Sequence, residues 1–277
     1  MRKSGQSRHP AHPKRRQLRS RAAIRRPKSN HAYWMFGIHA VSAALLNPAR
    51  RKHRLVVSKN CFRKLRAEIK SSGLRPEFAE GRKLTAVMGQ DSVHQGVALK
   101  VSPLEVVSIS SLQSMAGARA RVLLLDRVSD PHNVGAILRS ADAFGAMAVV
   151  TTRRHAPPET GVLAKTASGA LERVPYVRIP NLSAALKLLK EAEFNLIGLD
   201  SEAEEELAMV GERFRQGRIA LVLGSEGRGL RPSTQAVCDG LASIACNPSL
   251  GSLNVSNAAA IALYETRMRQ TDHGRSC

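Results

Sequence analysis

With 277 residues, 43% of them apolar, the chain is long enough for two modest domains that each bury a core. Its formal net charge of +21 favours a polyanionic partner such as nucleic acid, although an excess of charge can also serve solubility alone. No apolar run reaches the roughly eighteen residues that cross a bilayer, and the N-terminal region lacks the apolar stretch of a secretory signal, so we expect a cytoplasmic protein without membrane contact.

Residues 1–32 are rich in Arg, Lys, Ser, His and Pro, and no acidic residue precedes Glu68. This composition predicts a disordered basic arm, which is either a nonspecific RNA tether or a solvated tail. A mitochondrial transit peptide has a similar composition, but Pro10 and Pro13 disfavour the amphipathic helix that it would need. The role of the arm stays unassigned.

Residues 33–102 alternate short apolar runs with helical patterns, which predicts a small α/β domain. The predicted helices are 37–46 and 61–70, and the predicted strands are 54–58, 84–88 and 96–101. Arg63, Lys64 and Arg66 share about one turn, where they form either an RNA-facing surface or a solvated face. Given the overall charge, we favour RNA recognition.

Residues 103–119 have little apolar periodicity and contain Pro103 and several serines, which predicts a linker. In residues 120–270, apolar strands alternate with helix-length segments. The predicted strands are 121–126, 147–152, 176–179, 195–200, 219–225 and 241–246, and the predicted helices are 134–144, 182–192 and 254–269. This alternation predicts an α/β domain with a mostly parallel sheet that is covered on both faces.

Ligands of open α/β sheets bind beyond the carboxyl ends of the strands, where three loops are unusual. The first motif, residues 126–140, reads DRVSDPHNVGAILRS. Asn133 is a good N-cap for the following helix, and Gly135 allows another backbone or a ligand to approach closely. Arg139 could reach a phosphate or ribose. In a purely structural alternative, Asn133 only caps the helix and Arg139 only forms an ion pair.

The second motif, residues 224–230, reads GSEGRGL and directly follows the apolar run IALVL. Three glycines around Glu226 predict a backbone that turns sharply and passes close to another group. The spacing differs from that of G-x-G-x-x-G and of the phosphate loop, which disfavours ordinary dinucleotide and triphosphate sites. A plain tight turn would explain this motif equally well.

The third motif, residues 244–260, reads IACNPSLGSLNVSNAAA, a loop that enters an Ala-rich helix. Short polar residues surround the predicted helix start: Ser252, Asn254, Ser256 and Asn257. N-capping explains one or two of them but hardly all four.

The cysteines lie far apart and form no C-x-x-C pair: Cys61, Cys238, Cys246 and Cys277. This spacing predicts reduced thiols and neither a metal site nor a disulfide framework.

Together the three motifs resemble the signature motifs of the SPOUT class of RNA methyltransferases, and within it the TrmH-like branch. N-x-G-x-x-x-R-S, G-S-E-G-x-G-L and S-L-N-V-S-x-A-A are jointly specific. The segments FGIHAVSAALLN and VHQGVAL resemble the substrate-recognition domain that precedes the catalytic domain in members acting on ribosomal RNA. The likeness covers about residues 36–265.

The resemblance implies S-adenosylmethionine-dependent 2′-O-methylation of a guanosine ribose in 23S ribosomal RNA. It also implies a homodimer whose C-terminal domain is threaded into a deep trefoil knot, a fold that periodicity alone would not predict. The implied cofactor pocket contains Gly224, Ile244 and Leu253. The implied catalytic residues are Asn133, Arg139, Glu226, Ser252 and Asn254.

By the resemblance, Arg139 either removes the proton of the ribose hydroxyl or holds the nucleotide as a positively charged clamp. Asn133 and Glu226 would keep Arg139 and the ribose in register, and Ser252 and Asn254 would shape the cofactor loop. The chain departs from the family where Ala245 and Cys246 replace the frequent Pro and Met.

Two other functions stay open, a transfer RNA 2′-O-methyltransferase and a noncatalytic RNA-binding protein of ribosome assembly. The separate N-terminal domain favours ribosomal RNA over transfer RNA. The complete polar set of the three motifs favours an enzyme over a scaffold, because a scaffold does not need it.

Overall fold

The computed structural model describes residues 32–88, 94–247 and 252–267. The arm predicted at 1–32 therefore lies, apart from Ala32, outside the described residues. The described strands form a four-stranded sheet near the N-terminus and a six-stranded sheet in the rest of the chain.

The strands are β1 Tyr33–Phe36, β2 Lys52–Val57, β3 Pro76–Phe78, β4 Val97–Val101, β5 Arg121–Leu125, β6 Ala148–Thr152, β7 Tyr176–Ile179, β8 Phe194–Leu199, β9 Arg218–Leu223 and β10 Gly240–Ala242. The helices are α1 Ile38–Leu46, α2 Lys59–Lys64, α3 Arg66–Ser72, α4 Gly81–Met88, α5 Ile109–Met115, α6 Pro131–Ala143, α7 Gly161–Ala167, α8 Leu182–Glu191, α9 Leu207–Phe214, α10 Pro232–Gln235 and α11 Val255–Thr266. A short 3-10 helix, η1, spans Ala170–Glu172.

The four-stranded sheet has the order β1-β4-β2-β3, with antiparallel pairs except between β2 and β3. It carries α1 to α4 and confirms the small α/β arrangement. The strand predicted at 84–88 is wrong, because this segment belongs to α4. The Glu80 carbonyl begins that helix by accepting from the backbone N–H groups of Lys83 and Leu84 at 2.9 and 3.2 Å. A short apolar run does not distinguish a strand from a helix.

The helix predicted at 61–70 is divided at Leu65 into α2 and α3. Ser58 caps α2 by accepting a hydrogen bond from the Cys61 N–H at 3.2 Å. The basic side chains Arg63, Lys64 and Arg66 are exposed, as both of their interpretations require. The edge strands β1 and β3 are absent from the sequence prediction.

The six-stranded sheet has the order β10-β8-β9-β5-β6-β7, and all of its pairs are parallel. The predicted parallel sheet is therefore confirmed. Alternate residues of each central strand enter different hydrophobic clusters, so that Leu123 packs with α6, α7, α9 and α11, and Leu124 packs with α5 and α8. Burial on both faces explains why these strands are apolar throughout.

The predicted linker at 103–119 contains α5. Ser108 caps this helix by accepting from the Ser111 N–H at 3.0 Å, and Leu112 is fully buried against the sheet. The sequence pattern does not reveal α5, because only Ile109 and Leu112 of its seven residues are buried.

Arg121, at the start of β5, fixes the far end of α11. Its Nε donates to the Thr266 carbonyl at 2.8 Å, and Nη1 and Nη2 donate to the carbonyls of Gly217 and Arg215 at 2.7 and 2.8 Å. Burial lowers the pKa of Arg121 to about 10. These bonds join the amino end of the sheet to the helix that begins beside the third motif.

The four-stranded sheet and its helices, which we call the N-terminal module, pack directly on the part of the chain that follows. One hydrophobic cluster includes Met35 and Val41 from the module and Leu163 and Ala164 from α7. No helix in the described part of the chain is long and apolar enough to span a membrane.

Candidate active site

The first motif follows β5 and opens α6. Asp130 is the N-cap of α6, since its side chain accepts from the His132 N–H at 3.0 Å. The prediction that Asn133 caps this helix is therefore wrong: Asn133 lies within the first turn of α6. Its side-chain amide is consequently available for contacts outside the helix.

Gly135 allows α6 to pack closely on α7. A β-carbon at Gly135 would lie 2.6 Å from the Thr166 β-carbon and 3.0 Å from the Leu163 carbonyl oxygen. The predicted close approach of another backbone is confirmed, and the approaching element is α7.

The second motif folds back on itself directly after β9. A β-carbon at Gly224 would lie 2.0 Å from the carbonyl carbon of Gly229 and 2.3 Å from the backbone nitrogen of Leu230. The Gly229 N–H donates to the Ser225 carbonyl at 2.9 Å, and Gly227 has a φ of 77°. The predicted sharp turn and close passage are confirmed, and only glycine fits at position 224 without a shift of backbone.

The third motif joins β10 to α11. The strand ends at Ala242, which is earlier than the predicted residue 246, because only its first residues pair with β8. Asn254 is the N-cap of α11, and its Oδ1 accepts from the Ser256 N–H at 2.9 Å and from the Ser256 hydroxyl at 2.6 Å. Capping uses the oxygen of Asn254 and leaves its amide nitrogen for other partners.

One side chain from each motif meets in a hydrogen-bonded cluster. The Nδ2 atoms of Asn254 and Asn133 donate to Glu226 Oε1 at 2.7 and 2.8 Å. Asn254 Nδ2 also lies within hydrogen-bond distance, 3.1 Å, of Asn133 Oδ1. We call these three residues the Asn–Glu–Asn cluster. Both amides bind the same oxygen of Glu226. The other oxygen, Oε2, has no hydrogen-bond partner among the described residues and can therefore accept a bond from a ligand.

A cleft of about 800 Å³, open to solvent, lies beside this cluster at the carboxyl ends of β8, β9 and β10. The three residues predicted to line a cofactor pocket, Gly224, Ile244 and Leu253, all line it. Glu226 and Ser252 line it as well. Its mixture of apolar and polar walls is typical of small-molecule sites.

Arg139 lies apart from the other predicted catalytic residues. It follows Asn133 by six positions on α6, which corresponds to about 9 Å along the helix axis and about 120° around it. Its side chain is exposed and forms no hydrogen bond or ion pair within residues 32–88, 94–247 and 252–267. This chain alone therefore does not bring Arg139 into the Asn–Glu–Asn cluster.

The three motifs do not include Leu199, Asp200 and Ser201, which line the cleft at the end of β8. Asp200 Oδ2 accepts a hydrogen bond from Gln235 Nε2 at 2.7 Å, which connects this strand end to α10. The rule that ligands bind at strand ends points to these residues, since β8 is predicted correctly.

A buried carboxylate with no predicted role links the first motif to the segment that follows the second motif. Asp126, which is 1% exposed, accepts from Arg231 Nε at 2.9 Å and from the Thr234 hydroxyl at 2.7 Å. It thereby ties the end of β5 to the segment that follows the second motif. We assign it a positioning role for the loop that lines the cleft.

The cysteines show no metal or disulfide chemistry in the described ranges. Cys61, Cys238 and Cys246 are free, and Cys277 lies outside the described residues. Burial raises the pKa of the Cys238 thiol to about 11, which makes it a poor nucleophile. No group of three metal-binding side chains occurs where the structure describes the chain.

Asn254→Ala removes both the cap of α11 and one of the two amides that hold Glu226. Loss of the cap destabilises the start of α11 by about 1 kcal/mol. Loss of the amide also frees the Glu226 carboxylate to rotate, so the methyl-transfer activity that the resemblance implies, measured with saturating cofactor, should fall by roughly tenfold or more. Asn257→Ala is the matched control, since Asn257 is exposed on the same helix and forms no bond within the described residues. Equal activity of the two variants would contradict a catalytic role for the cluster.

Two sequence-family models match the chain. The SpoU rRNA methylase family matches residues 120–264, and the domain described as RNA 2′-O ribose methyltransferase substrate binding matches residues 34–107. The first match contains all three motifs, and the second corresponds to the N-terminal module.

Curated relatives match over most of the chain. The 23S rRNA (guanosine-2′-O-)-methyltransferase RlmB of Coxiella burnetii is 37% identical over 243 residues, which cover 85% of this chain and 95% of that protein. The protein of the same name from Ralstonia nicotianae is 37% identical over 236 residues, which cover 83% of this chain and 93% of that protein.

Solved structures share the fold. The SpoU methyltransferase AviRb of Streptomyces viridochromogenes, solved in complex with the cofactor AdoMet, has a TM-score of 0.69 and 23% identity over 85% of this chain and 89% of its own. A TrmH-family protein of Porphyromonas gingivalis has a TM-score of 0.67 and 26% identity over 85% of this chain and 89% of its own. The family expected from the three motifs is confirmed: the chain belongs to the SpoU rRNA methylase family.

Proposed function

We propose that this enzyme transfers the methyl group of S-adenosylmethionine to the 2′-hydroxyl of a guanosine ribose in 23S ribosomal RNA. The Asn–Glu–Asn cluster carries the proposal, because it places an oriented carboxylate beside a cleft whose walls come from the second and third motifs. The names of the curated relatives support the choice of nucleotide and RNA.

The residues that line the cleft suit the chemistry of S-adenosylmethionine. Apolar side chains such as Leu223 and Val255 offer contacts to apolar parts of the cofactor, while Asp200 and Ser201 offer polar partners. The missing side chain at Gly224 lets the backbone of Gly229 and Leu230 pack directly against this wall of the cleft. When bound, the cofactor supplies a methyl group on a sulfonium, whose transfer needs an in-line nucleophile and a place for one proton.

Glu226 would orient the ribose through the free oxygen of its carboxylate. Since Asn133 and Asn254 fix Oε1, Oε2 keeps one direction and can accept the proton of a ribose hydroxyl as a hydrogen bond. Ser252, which lines the cleft, would help to shape the cofactor loop. This arrangement reduces the orientational freedom of the nucleophile before transfer.

We assign Arg139 the role of a positively charged clamp on the RNA. An exposed guanidinium carries its charge and suits the planar geometry of a phosphate. We further propose that the enzyme is a homodimer in which Arg139 of one subunit completes the cluster of the other. The separation of Arg139 from the Asn–Glu–Asn cluster within one chain supports this proposal. Sedimentation of only a 30.0 kDa species would contradict it.

For the domains we propose RNA recognition by residues 33–102, a connection at 103–119 and methyl transfer by residues 120–270. We also propose that the catalytic domain forms a trefoil knot and that the enzyme acts in the cytoplasm. The positions of the two family matches support the assignment of RNA recognition and methyl transfer to separate domains, and membership of the SpoU rRNA methylase family supports the knot.

Labelled methyl transfer from S-adenosylmethionine to purified 23S ribosomal RNA, with bulk transfer RNA in parallel, tests the proposed function. Label on a single guanosine ribose of 23S RNA is the expected result. Label on transfer RNA alone would show that the substrate is transfer RNA and not ribosomal RNA. Absence of label from both RNAs, with cofactor binding intact, would favour the noncatalytic RNA-binding protein.

A further inference from the structure

A buried ion-pair network joins the N-terminal module to residues 120–264, which match the SpoU rRNA methylase family and which we call the methylase domain. The Arg50 side chain is fully buried, and its Nη2 lies 2.6 Å from Glu172 Oε1. Its Nε donates to both oxygens of the same carboxylate at 3.0 Å, and its Nη1 donates to Glu159 Oε2 at 2.9 Å. We call Arg50, Glu159 and Glu172 the Arg50 network. Arg50 lies between α1 and β2 of the module, and both carboxylates belong to the methylase domain.

Two further side chains of the module bind the same carboxylates. The Tyr33 hydroxyl donates to Glu159 Oε2 at 3.2 Å, and Asn47 Nδ2 donates to Glu172 Oε2 at 2.8 Å. Burial beside Glu159 raises the pKa of Tyr33, so its hydroxyl remains a donor. Arg50 Nη1 also donates to the Ser102 carbonyl at 2.9 Å, which includes the end of the module in the network.

The backbones are in close contact around this network. A β-carbon at Gly161 would lie 2.4 Å from Phe36 Cε1 and 2.5 Å from the Trp34 carbonyl oxygen. A β-carbon at Gly169 would lie 3.0 Å from the β-carbon of Ala43. Since buried ion pairs add little stability but demand precise geometry, the network favours one relative orientation over others that bury similar apolar area.

The network leads directly to the first motif. The module packs on α7 and η1, and both of these elements pack on α6. At Gly135, α6 approaches α7 so closely that a β-carbon would lie 2.6 Å from that of Thr166. Through this contact, the orientation of the module is coupled to the helix that carries Asn133 and Arg139.

We propose that Arg50 is a positioning residue that fixes the N-terminal module at one distance and angle from the methyl-transfer cleft. An RNA that contacts both surfaces is then selected by the spacing between its module-binding part and its target nucleotide. This inference rests on the proposed function for the nature of the ligand, an RNA long enough to span both surfaces. If the connection between the two surfaces were flexible, an RNA bound to one surface would meet the other surface at a lower effective concentration.

The test uses the full chain with the variant Arg50→Met/Glu172→Gln, which leaves the net charge unchanged and makes both members of the most buried pair neutral. Glu159, whose side chain is 13% exposed, keeps the Tyr33 hydroxyl as a hydrogen-bond donor. The matched control, Arg54→Met/Glu77→Gln, removes an ion pair within the module whose side chains are 50% and 51% exposed. Each protein is titrated with a long 23S RNA fragment and with a short hairpin that carries only the target nucleotide, and methylation of both RNAs is followed.

We expect the Arg50 variant to bind the long fragment roughly tenfold more weakly and to methylate it with a correspondingly higher KM, because preorganisation is lost. Binding of the hairpin, kcat and cofactor affinity should match those of the wild type and the control. Equal losses on both RNAs, or no loss on the long fragment, would overturn the positioning role.

Two further comparisons keep the inference testable. If the double variant does not fold, Tyr33→Phe removes a single hydroxyl of the same contact and should weaken binding of the long fragment in the same selective way. If the wild type binds both RNAs but methylates neither, the proposed function fails, while the difference in binding still decides whether Arg50 positions the module.

Discussion

Gly224→Ala should abolish detectable binding of S-adenosylmethionine. The new β-carbon would lie 2.0 and 2.3 Å from backbone atoms of Gly229 and Leu230, and backbone cannot rotate away as a side chain can. Relief of such overpacking costs typically 1–3 kcal/mol and moves the loop that lines the cleft. Calorimetric titration of the cofactor measures the loss directly.

Gly240→Ala is the matched control for this substitution. Gly240 begins β10, whose last residue, Ala242, lines the same cleft, and a β-carbon at Gly240 would have no heavy atom within 4 Å. Cofactor affinity should therefore stay at the level of the wild type. A Gly224→Ala protein that binds the cofactor normally would show that the loop can open without loss of the site.

Arg139→Ala should lower single-turnover methyl transfer by roughly a hundredfold or more, the usual consequence of removing a charged group from the transition state. Binding of S-adenosylmethionine should persist, because Arg139 lies outside the cleft lining. Arg139→Lys should recover part of the rate if the charge acts as a clamp. Inactivity of the lysine variant equal to that of alanine would favour proton removal by the guanidinium or strict bidentate geometry.

Mixing two inactive variants tests whether the site is shared between subunits. Arg139→Ala and Glu226→Gln proteins, refolded together, would form mixed dimers in which one site has both native residues if the site is completed across subunits. We expect up to about one quarter of wild-type activity from a random mixture. No recovery from well-folded mixed dimers would place both residues in the same subunit.

The sequence predicted the methylase sheet well because parallel strands buried on both faces are apolar throughout. Each of the predicted strands in residues 120–270 corresponds to a strand of the structure, within the usual shift at the ends. The N-terminal module was predicted less well, since β1 and β3 are short edge strands with mixed polarity. The helix α4 differs from the strand predicted at 84–88 because so short an apolar run does not distinguish a strand from a helix.

The site was predictable to the extent that local chain geometry demands particular residues. The crowding at Gly224 requires a glycine, and the cap at Asn254 requires a short polar side chain, so that both can be recognised from the local sequence. The contacts of Asn133 with Glu226 and of Arg50 with Glu172 join residues 93 and 122 positions apart, and no local pattern encodes such pairs. The resemblance supplied the first contact, and only the structure shows the second.

The single hydrophobic cluster that runs from the N-terminal module into the methylase domain has a consequence for unfolding. Because Met35 and Val41 share packing partners with α7, neither half can expose its core without opening the core of the other. The two halves should therefore melt in one cooperative transition. A substitution that destabilises the core of the N-terminal module should then, through the shared cluster, also lower the melting temperature of the part of the chain that holds the cleft.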